Sequence, residues 1–551
     1  MVSIPHMSDV AAAHVGDAVV IGGGIAGIVT ALELCDHKKK VILLERTSED
    51  RFGGLAKMSF GGLFFVGSPE QRLMGIKDDV ALALRDWMSY ADFGSDDVWP
   101  RRWAEAYVSQ SLERIRGYLV RRGVGFFPAV NWTERGYFVP GNSVPRFHIA
   151  WGTGEGVVRP LIAALRAHEG TGLLTLLFGH TVDDLLSEGG RVAGARGVDA
   201  EGHEFTARGD NVVIAAGGLA GNLDKVRAHW PSYLGAPPEF MVNGSMPEAD
   251  GRFFDLAARL GANVTHLERM WNYAAGVRHW KPRWPLHGLS LVPGKSAIWV
   301  NHRGVRFKDP PLVGSYDTLL LLEKICAQEK PYSWQVLNYK ILRRELAVSG
   351  AEHNPDVRDK NVFRFLKNIV FGNDALATEF LDNCPDFVRA DTLPELVVKM
   401  NALAGTDDVD LATLEDEIGS YDANIARGPK LHNDDQIRRV VHARQYRGDR
   451  LRTCNLQKIL DPSARPLVAI RLSVLTRKSL GGLQTDLHGR VLSPAGAPLP
   501  GLYAAGEAAG FGGGGMHGKR ALEGTFLGGG VFSAQAVAES IAKGRGIDGN
   551  V

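Results

Sequence analysis

Gly22-Gly23-Gly24-Ile25-Ala26-Gly27 sets glycine at the first, third and sixth places of a hexapeptide, directly after an apolar run. Each of the three has a physical task. Gly22 permits a tight turn, Gly24 lets a diphosphate approach the backbone, and Gly27 lets a following helix pack closely on the strand. Ile25 and Ala26 then open a helix whose free N–H groups and positive dipole end favour an anion. Glu45, 18 residues past Gly27, closes the next apolar run, with Arg46 behind it. A carboxylate there accepts hydrogen bonds from ribose hydroxyls, and it excludes NADP by leaving no room for a 2′-phosphate. FAD and NAD both remain open on this motif.

These residues need a frame. Residues 18–21 read as a buried parallel strand, 25–37 as a helix and 41–44 as the next strand. Two further apolar runs end in glycine: 212–216 before Gly217-Gly218, and 502–505 before Gly506-Glu507. Residues 159–168 look helical, 175–198 alternate like a small antiparallel sheet, and Gly528-Gly529-Gly530 opens a last helix to residue 541. Residues 270–460 are rich in Trp, Arg, Pro and helix-like acidic stretches such as 393–403. The reading is an α/β chain. A tail covers 1–16, a Rossmann-like domain is built from 17–269 and 461–551, and an α+β capping or substrate domain, 270–460, is inserted between them.

Bulk properties exclude several classes. The 551 residues carry 63 basic and 62 acidic side chains with no long basic run, so no nucleic-acid partner is expected. Cys35, Cys326, Cys384 and Cys454 form no CxxC pair, which argues against zinc, a disulfide framework or haem attachment. No metal is expected. With no run of 18 apolar residues and no leader-like pattern before Asp17, the sequence predicts a cytoplasmic protein without a membrane span.

Further motifs carry a resemblance. Gly53-Gly54-Leu55-Ala56-Lys57-Met58-Ser59-Phe60-Gly61-Gly62 is similar to the loop passing the flavin ring in the fumarate reductase and succinate dehydrogenase flavoprotein superfamily. Val213 to Gly218 resembles that superfamily's second FAD-contacting strand. Leu480 to Asp486 and Gly501 to Glu507 resemble its C-terminal signature. The resemblance implies FAD, with Gly54, Leu55, Ala56, Ser59, Gly61 and Gly62 along the ring. Ala216, Gly217, Gly218, Gly506, Glu507, Thr525 and Leu527 complete the expected cofactor set. Leu55 stands where some relatives carry a histidine bonded to the flavin, so FAD is expected to be non-covalent. No second G-x-G-x-x-G follows another strand, so no dedicated nicotinamide site is indicated.

Within that resemblance two branches differ in chemistry. Fumarate-reductase-like members clamp a dicarboxylate with His and Arg, whereas 3-ketosteroid dehydrogenases use tyrosines for the proton and the flavin for the hydride. Residues 300–309 resemble both branches, and Tyr316-Asp317 then stands where the reductases place Arg-Asp. A phenol with a reference pKa of ~10 is a competent acid, and as a base it needs a donor or a positive field. Met516-His517-Gly518-Lys519-Arg520-Ala521-Leu522-Glu523-Gly524 keeps the reductases' His-Gly, but Arg520 falls one place early. Two aromatic groups, Trp271, Tyr273, Trp280, Trp284 and Trp132, Tyr137, Phe147, Trp151, suit a large apolar substrate.

The leading expectation is an FAD-dependent dehydrogenase that introduces a C–C double bond beside the carbonyl of a ketosteroid-like or other cyclic ketone. Tyr316 takes the proton, and electrons pass to an external acceptor. One alternative is an enoate or dicarboxylate reductase in which His517 and Arg520 grip the substrate. Another is a binding protein with structural FAD. No oligomeric state is assigned.

Overall fold

The computed structural model describes residues 12–543. Short apolar strands with no polar face must be covered on both sides, and they form the centre of a parallel sheet. Its order is Arg490–Leu492, Pro498–Ala504, Asn211–Ile214, Ala18–Ile21, Val41–Glu45, Leu174–Phe178. All neighbours are parallel except the Arg490–Leu492 edge. The stretch expected to form one small antiparallel sheet divides. Leu174–Phe178 is nearly continuous in apolar residues and joins the parallel sheet beside Val41–Glu45. Only Thr181–Glu188 and Arg191–Val198 make the hairpin. Glu204–Arg208 extends it, and Ala12–Val15 pairs in parallel on its edge. The expected tail 1–16 therefore contains a strand, while residues 1–11 lie outside the described ones.

Both ends of the chain meet at one seam. Helix Ile25–Asp36 packs along helix Thr525–Lys543. The glycine triplet was expected to open that last helix, but the helix begins at Thr525 and the triplet lies inside it. The reason is close approach. A Cβ on Gly528 would come within 2.1 Å of the Tyr107 hydroxyl, and one on Gly530 within 3.0 Å of Ile25 Cγ2.

A second, mostly antiparallel sheet is built on the 13-residue strand Leu467–Ser479. Tyr332–Asn338, Met270–Arg278, Phe387–Ala390 and Val242–Asn243 all pair with it. Its residues lie beyond the expected insert boundary at 460, and Val242–Asn243 before the one at 270. A hydrophobic strand buried in a cap reads no differently in sequence from one buried in the nucleotide-binding sheet. Helix Leu393–Ala404 matches the acidic helix-like stretch. A small sheet of Gly62–Phe64, Phe147–Ala150 and Phe126–Asn131 ties the glycine loop to Phe147. Among the described residues no helix is long and apolar enough to cross a membrane.

Candidate functional site

Two adjoining cavities, of about 130 and 190 Å³, run across the C-terminal ends of the parallel strands. They share Gly24, Leu55, Ala215, Gly217 and Glu507. The glycines divide by task as the motif requires. A Cβ on Gly22 (φ +108°) would lie 2.5 Å from the Ala215 carbonyl, and one on Gly27 only 1.8 Å from that of Gly22. A Cβ on Gly24 would meet nothing within 4 Å. Gly24 also N-caps helix Ile25–Asp36 without a side-chain cap. The first-turn N–H groups of Gly24, Ile25 and Ala26 therefore stand at an open cradle, which fits a diphosphate.

The smaller cavity holds Glu45, Arg46 and Ala216. Glu45 Oε2 accepts from Gly23 N at 2.6 Å, and Oε1 accepts from Thr47 N and Oγ1 at 2.7 Å each. These bonds fix the carboxylate at the cavity wall with acceptor capacity left for ribose hydroxyls. Arg46 is turned to Asp250 at 2.9 Å. Glu45→Ala should weaken FAD binding ten- to a hundredfold, since a bond to a charged acceptor contributes ~1.5–3 kcal/mol. Titration of apoprotein with FAD reads this directly, and an unchanged Kd would assign the ribose to another group.

The larger cavity is lined by Leu55, Ala56, Ser59, Gly61 and Gly62 on one side and by Gly506, Glu507, Leu527 and Gly530 on the other. Gly54 lines the smaller cavity. Two expected contacts lie behind the wall. A Cβ on Gly218 would press on Ser479 and Glu507 at 2.4 and 2.5 Å, and buried Thr525 donates to the Leu522 carbonyl. Glu507 Oε1 accepts from Ser479 N at 2.8 Å. Burial pushes its carboxyl up, countered by that N–H and by Lys478 and Arg477. Lys478 also lines the cavity, 4.1 Å from the Phe526 ring. Burial, then neighbouring Arg477, hold it below the usual lysine range. Lys478 and Glu507 both line this cavity, and nothing in the spacing of Lys478 marks it as a cavity residue.

A third space of about 230 Å³ opens beyond Phe60, Phe147, Tyr273, Ser349 and Glu523, which it shares with the flavin-loop cavity. Its walls include Trp132, Leu291, Trp299 and Leu321. At the shared wall Tyr273 donates to Glu523 at 2.5 Å, and the Trp271 indole N–H points at both oxygens. Burial, then Glu523, push the Tyr273 phenol well up. Tyr316 and Glu134 also line this space. Arg135 Nη1 donates to the Tyr316 hydroxyl at 3.3 Å, and the Arg135 and Arg439 guanidinium groups lie 5.6 and 5.2 Å from its ring. Glu134 accepts from Tyr90 at 2.6 Å and from the Thr318 hydroxyl. Burial, then nearby Glu523, push its carboxyl up to about 8 despite those bonds.

The structure does not bring His517 and Arg520 to this chamber. His517 is fully buried among Trp87, Phe511 and Phe526, and neither ring nitrogen has a hydrogen-bond partner among the described residues. Burial, then Lys478, hold it down to about 3, so it is neutral. Arg520 faces Asp317 at 3.4 Å and Glu323 at 3.6 Å. Of the aromatic groups, Tyr273, Trp132 and Phe147 reach the chamber. Tyr137 packs on Tyr316 at 5.5 Å, while Trp280 and Trp284 pack on His353 and His287 elsewhere.

Residues 17–527 match the model of the FAD binding domain. The chain belongs to that FAD-binding family. This flavoprotein is 42% identical, over 549 residues and 96% of both chains, to a KsdD-like steroid dehydrogenase of Mycobacterium tuberculosis (strain CDC 1551 / Oshkosh). Its fold is that of the 3-ketosteroid delta1-dehydrogenase from Sterolibacterium denitrificans, with a TM-score of 0.69 at 18% identity, covering 97% of this chain and 100% of that one. The open conformation of a flavocytochrome c3 fumarate reductase superposes with a TM-score of 0.65 at 18% identity, covering 96% and 78%. FAD is the cofactor, and the chain is an FAD-dependent dehydrogenase.

Proposed function

We propose that this flavoprotein introduces a C–C double bond next to the carbonyl of a steroid-like or other large cyclic ketone. The observation that carries the reading is the chamber: it shares a wall with the flavin-loop cavity, sets aromatic and aliphatic side chains among the charged groups Glu134, Lys295, Glu345, Asp449, Arg452 and Glu523, and holds Tyr316 with Arg135 on its oxygen. The steroid dehydrogenase named above supports the substrate class. FAD, when bound, supplies the two-electron acceptor for the hydride from the β-carbon. Tyr316 takes the α proton, and the Arg135 N–H remains on the oxygen as it becomes a phenolate. Two hydrogens leave the substrate, one as hydride and one as proton, and an external acceptor later removes the electrons. The apolar walls hold a flat ring system and exclude water. FAD is held without a covalent link, since Leu55 offers no nucleophile. His517 and Arg520, the residues of the dicarboxylate reading, do not line the chamber.

Glu134 is a chamber carboxyl that burial keeps protonated at neutral pH, so it adds no negative charge beside the substrate. Anaerobic mixing with a 3-ketosteroid should bleach the flavin absorbance, and absence of bleaching across ketosteroids and cyclic ketones would refute the reading. With an active ketone, the bleaching rate should fall as pH rises through about 8, where Glu134 becomes charged. Glu134→Gln stays neutral and should lose that limb. The folded-state pKa is raised, so its stabilising contribution is complete below the ordinary carboxylate range and is lost as pH rises through about 8. The wild-type melting temperature should therefore decline over that window more than the variant's.

A further inference from the structure

Helix Val362–Phe371 presents an apolar face with nothing on it. Phe363 is 88% exposed, Phe371 64%, Val370 52% and Leu366 50%, a density of solvent-facing apolar side chains unusual for ten residues. Cations surround them. Lys360, Arg364 and Lys367 are exposed and form no ion pair among the described residues. Arg343 and Arg344 cap the helix's last carbonyls at Phe371 and Val370. Acids are few: Asp359 is tied to Arg358, and Asp374 lies 3.6 Å from Arg343.

We propose that this helix docks the protein on an anionic lipid bilayer, its apolar side chains entering the interface and Lys360, Arg364 and Lys367 meeting the headgroups. Basic side chains along one flank of an apolar stripe fit a helix lying in the membrane plane. A second copy of the chain is disfavoured by the same charges, since an isologous contact would set Arg364 and Lys367 against their own kind. The inner face points the same way. Phe365 packs on Phe127 at 4.6 Å and on Trp151 at 6.0 Å, in a cluster that includes Phe60 and Phe147. Those last two are walls of the chamber. The helix thus stands on the same packed apolar cluster as two walls of the chamber. The binding itself does not depend on the reaction proposed above.

Holoprotein should co-sediment with vesicles of phosphatidylcholine containing phosphatidylglycerol, and about tenfold or more weakly with phosphatidylcholine alone. The double variant Phe363→Ser/Leu366→Ser should lose about tenfold or more of this binding, as should Arg364→Glu/Lys367→Glu. All four positions are exposed, so FAD content and circular dichroism should match the parent. The readout needs no turnover, so failure here leaves the catalytic reading standing, and failure of flavin bleaching leaves the docking standing. Absence of wild-type binding to the anionic vesicles, or binding unchanged in the double variants, would overturn the proposal. A dimer in sedimentation that Phe363→Ser/Leu366→Ser dissociates would reassign the face to a second copy.

Discussion

Tyr316→Phe should slow flavin bleaching by the substrate ~10²–10⁴-fold, the usual share of one positioned acid or base. The variant removes a single oxygen. Tyr316 is buried, its ring stacked near Tyr137 and beneath two guanidinium groups, and phenylalanine keeps each of those contacts. The apolar walls are untouched, so ligand affinity should change little, and dithionite should still reduce the flavin. Arg135 loses one acceptor but keeps Asp449, so no unpaired charge is left in the wall. Equal rates in parent and variant would move the proton transfer to the other tyrosine of the chamber. Tyr273→Phe is then the decisive comparison, because Tyr273 and Glu523 stand on the wall shared with the flavin-loop cavity.

Gly24→Val should yield folded protein without cofactor. A Cβ at this position meets no protein atom within 4 Å, and Gly24 has ordinary extended φ, so the fold tolerates the side chain. The space it fills is the cradle in front of the helix N-terminus, where the diphosphate must come within hydrogen-bond distance of the backbone. The purified variant should be colourless, with parental circular dichroism. Acid treatment of the parent should release all its FAD into the supernatant. Gly27→Val serves as the contrast: its Cβ would strike the Gly22 carbonyl at 1.8 Å and should unfold the region outright. A yellow Gly24→Val protein would place the diphosphate elsewhere.

The nucleotide half of the site was legible because its chemistry is local. Six consecutive residues make the diphosphate cradle, and Glu45 lies one strand further on, so spacing alone carries the geometry. The chamber is assembled from afar. Glu134 and Thr318 touch across 184 residues, and Tyr273 meets Glu523 across 250. Nothing in the neighbours of Glu134 marks its carboxyl as buried, since Thr133-Glu134-Arg135-Gly136 reads as an ordinary polar turn. Glu523 lies in the loop that carries His517 and Arg520, and periodicity gives no partner for it. The loop around His517 shows the opposite limit. Its residue types suit substrate binding, and nothing in their spacing tells that His517 lies buried among Trp87, Phe511 and Phe526. The strand Leu467–Ser479 was misplaced for the same reason that buried strands are easily found: a run of apolar residues declares its burial and not its sheet.

That strand ties two equilibria together. Its body is the spine to which four cap strands are laced, while its tip puts Arg477 and Lys478 into the flavin cavity and the Ser479 N–H on Glu507. Were ligands at the tip and in the chamber both to order this strand, each would raise the other's affinity by the same factor.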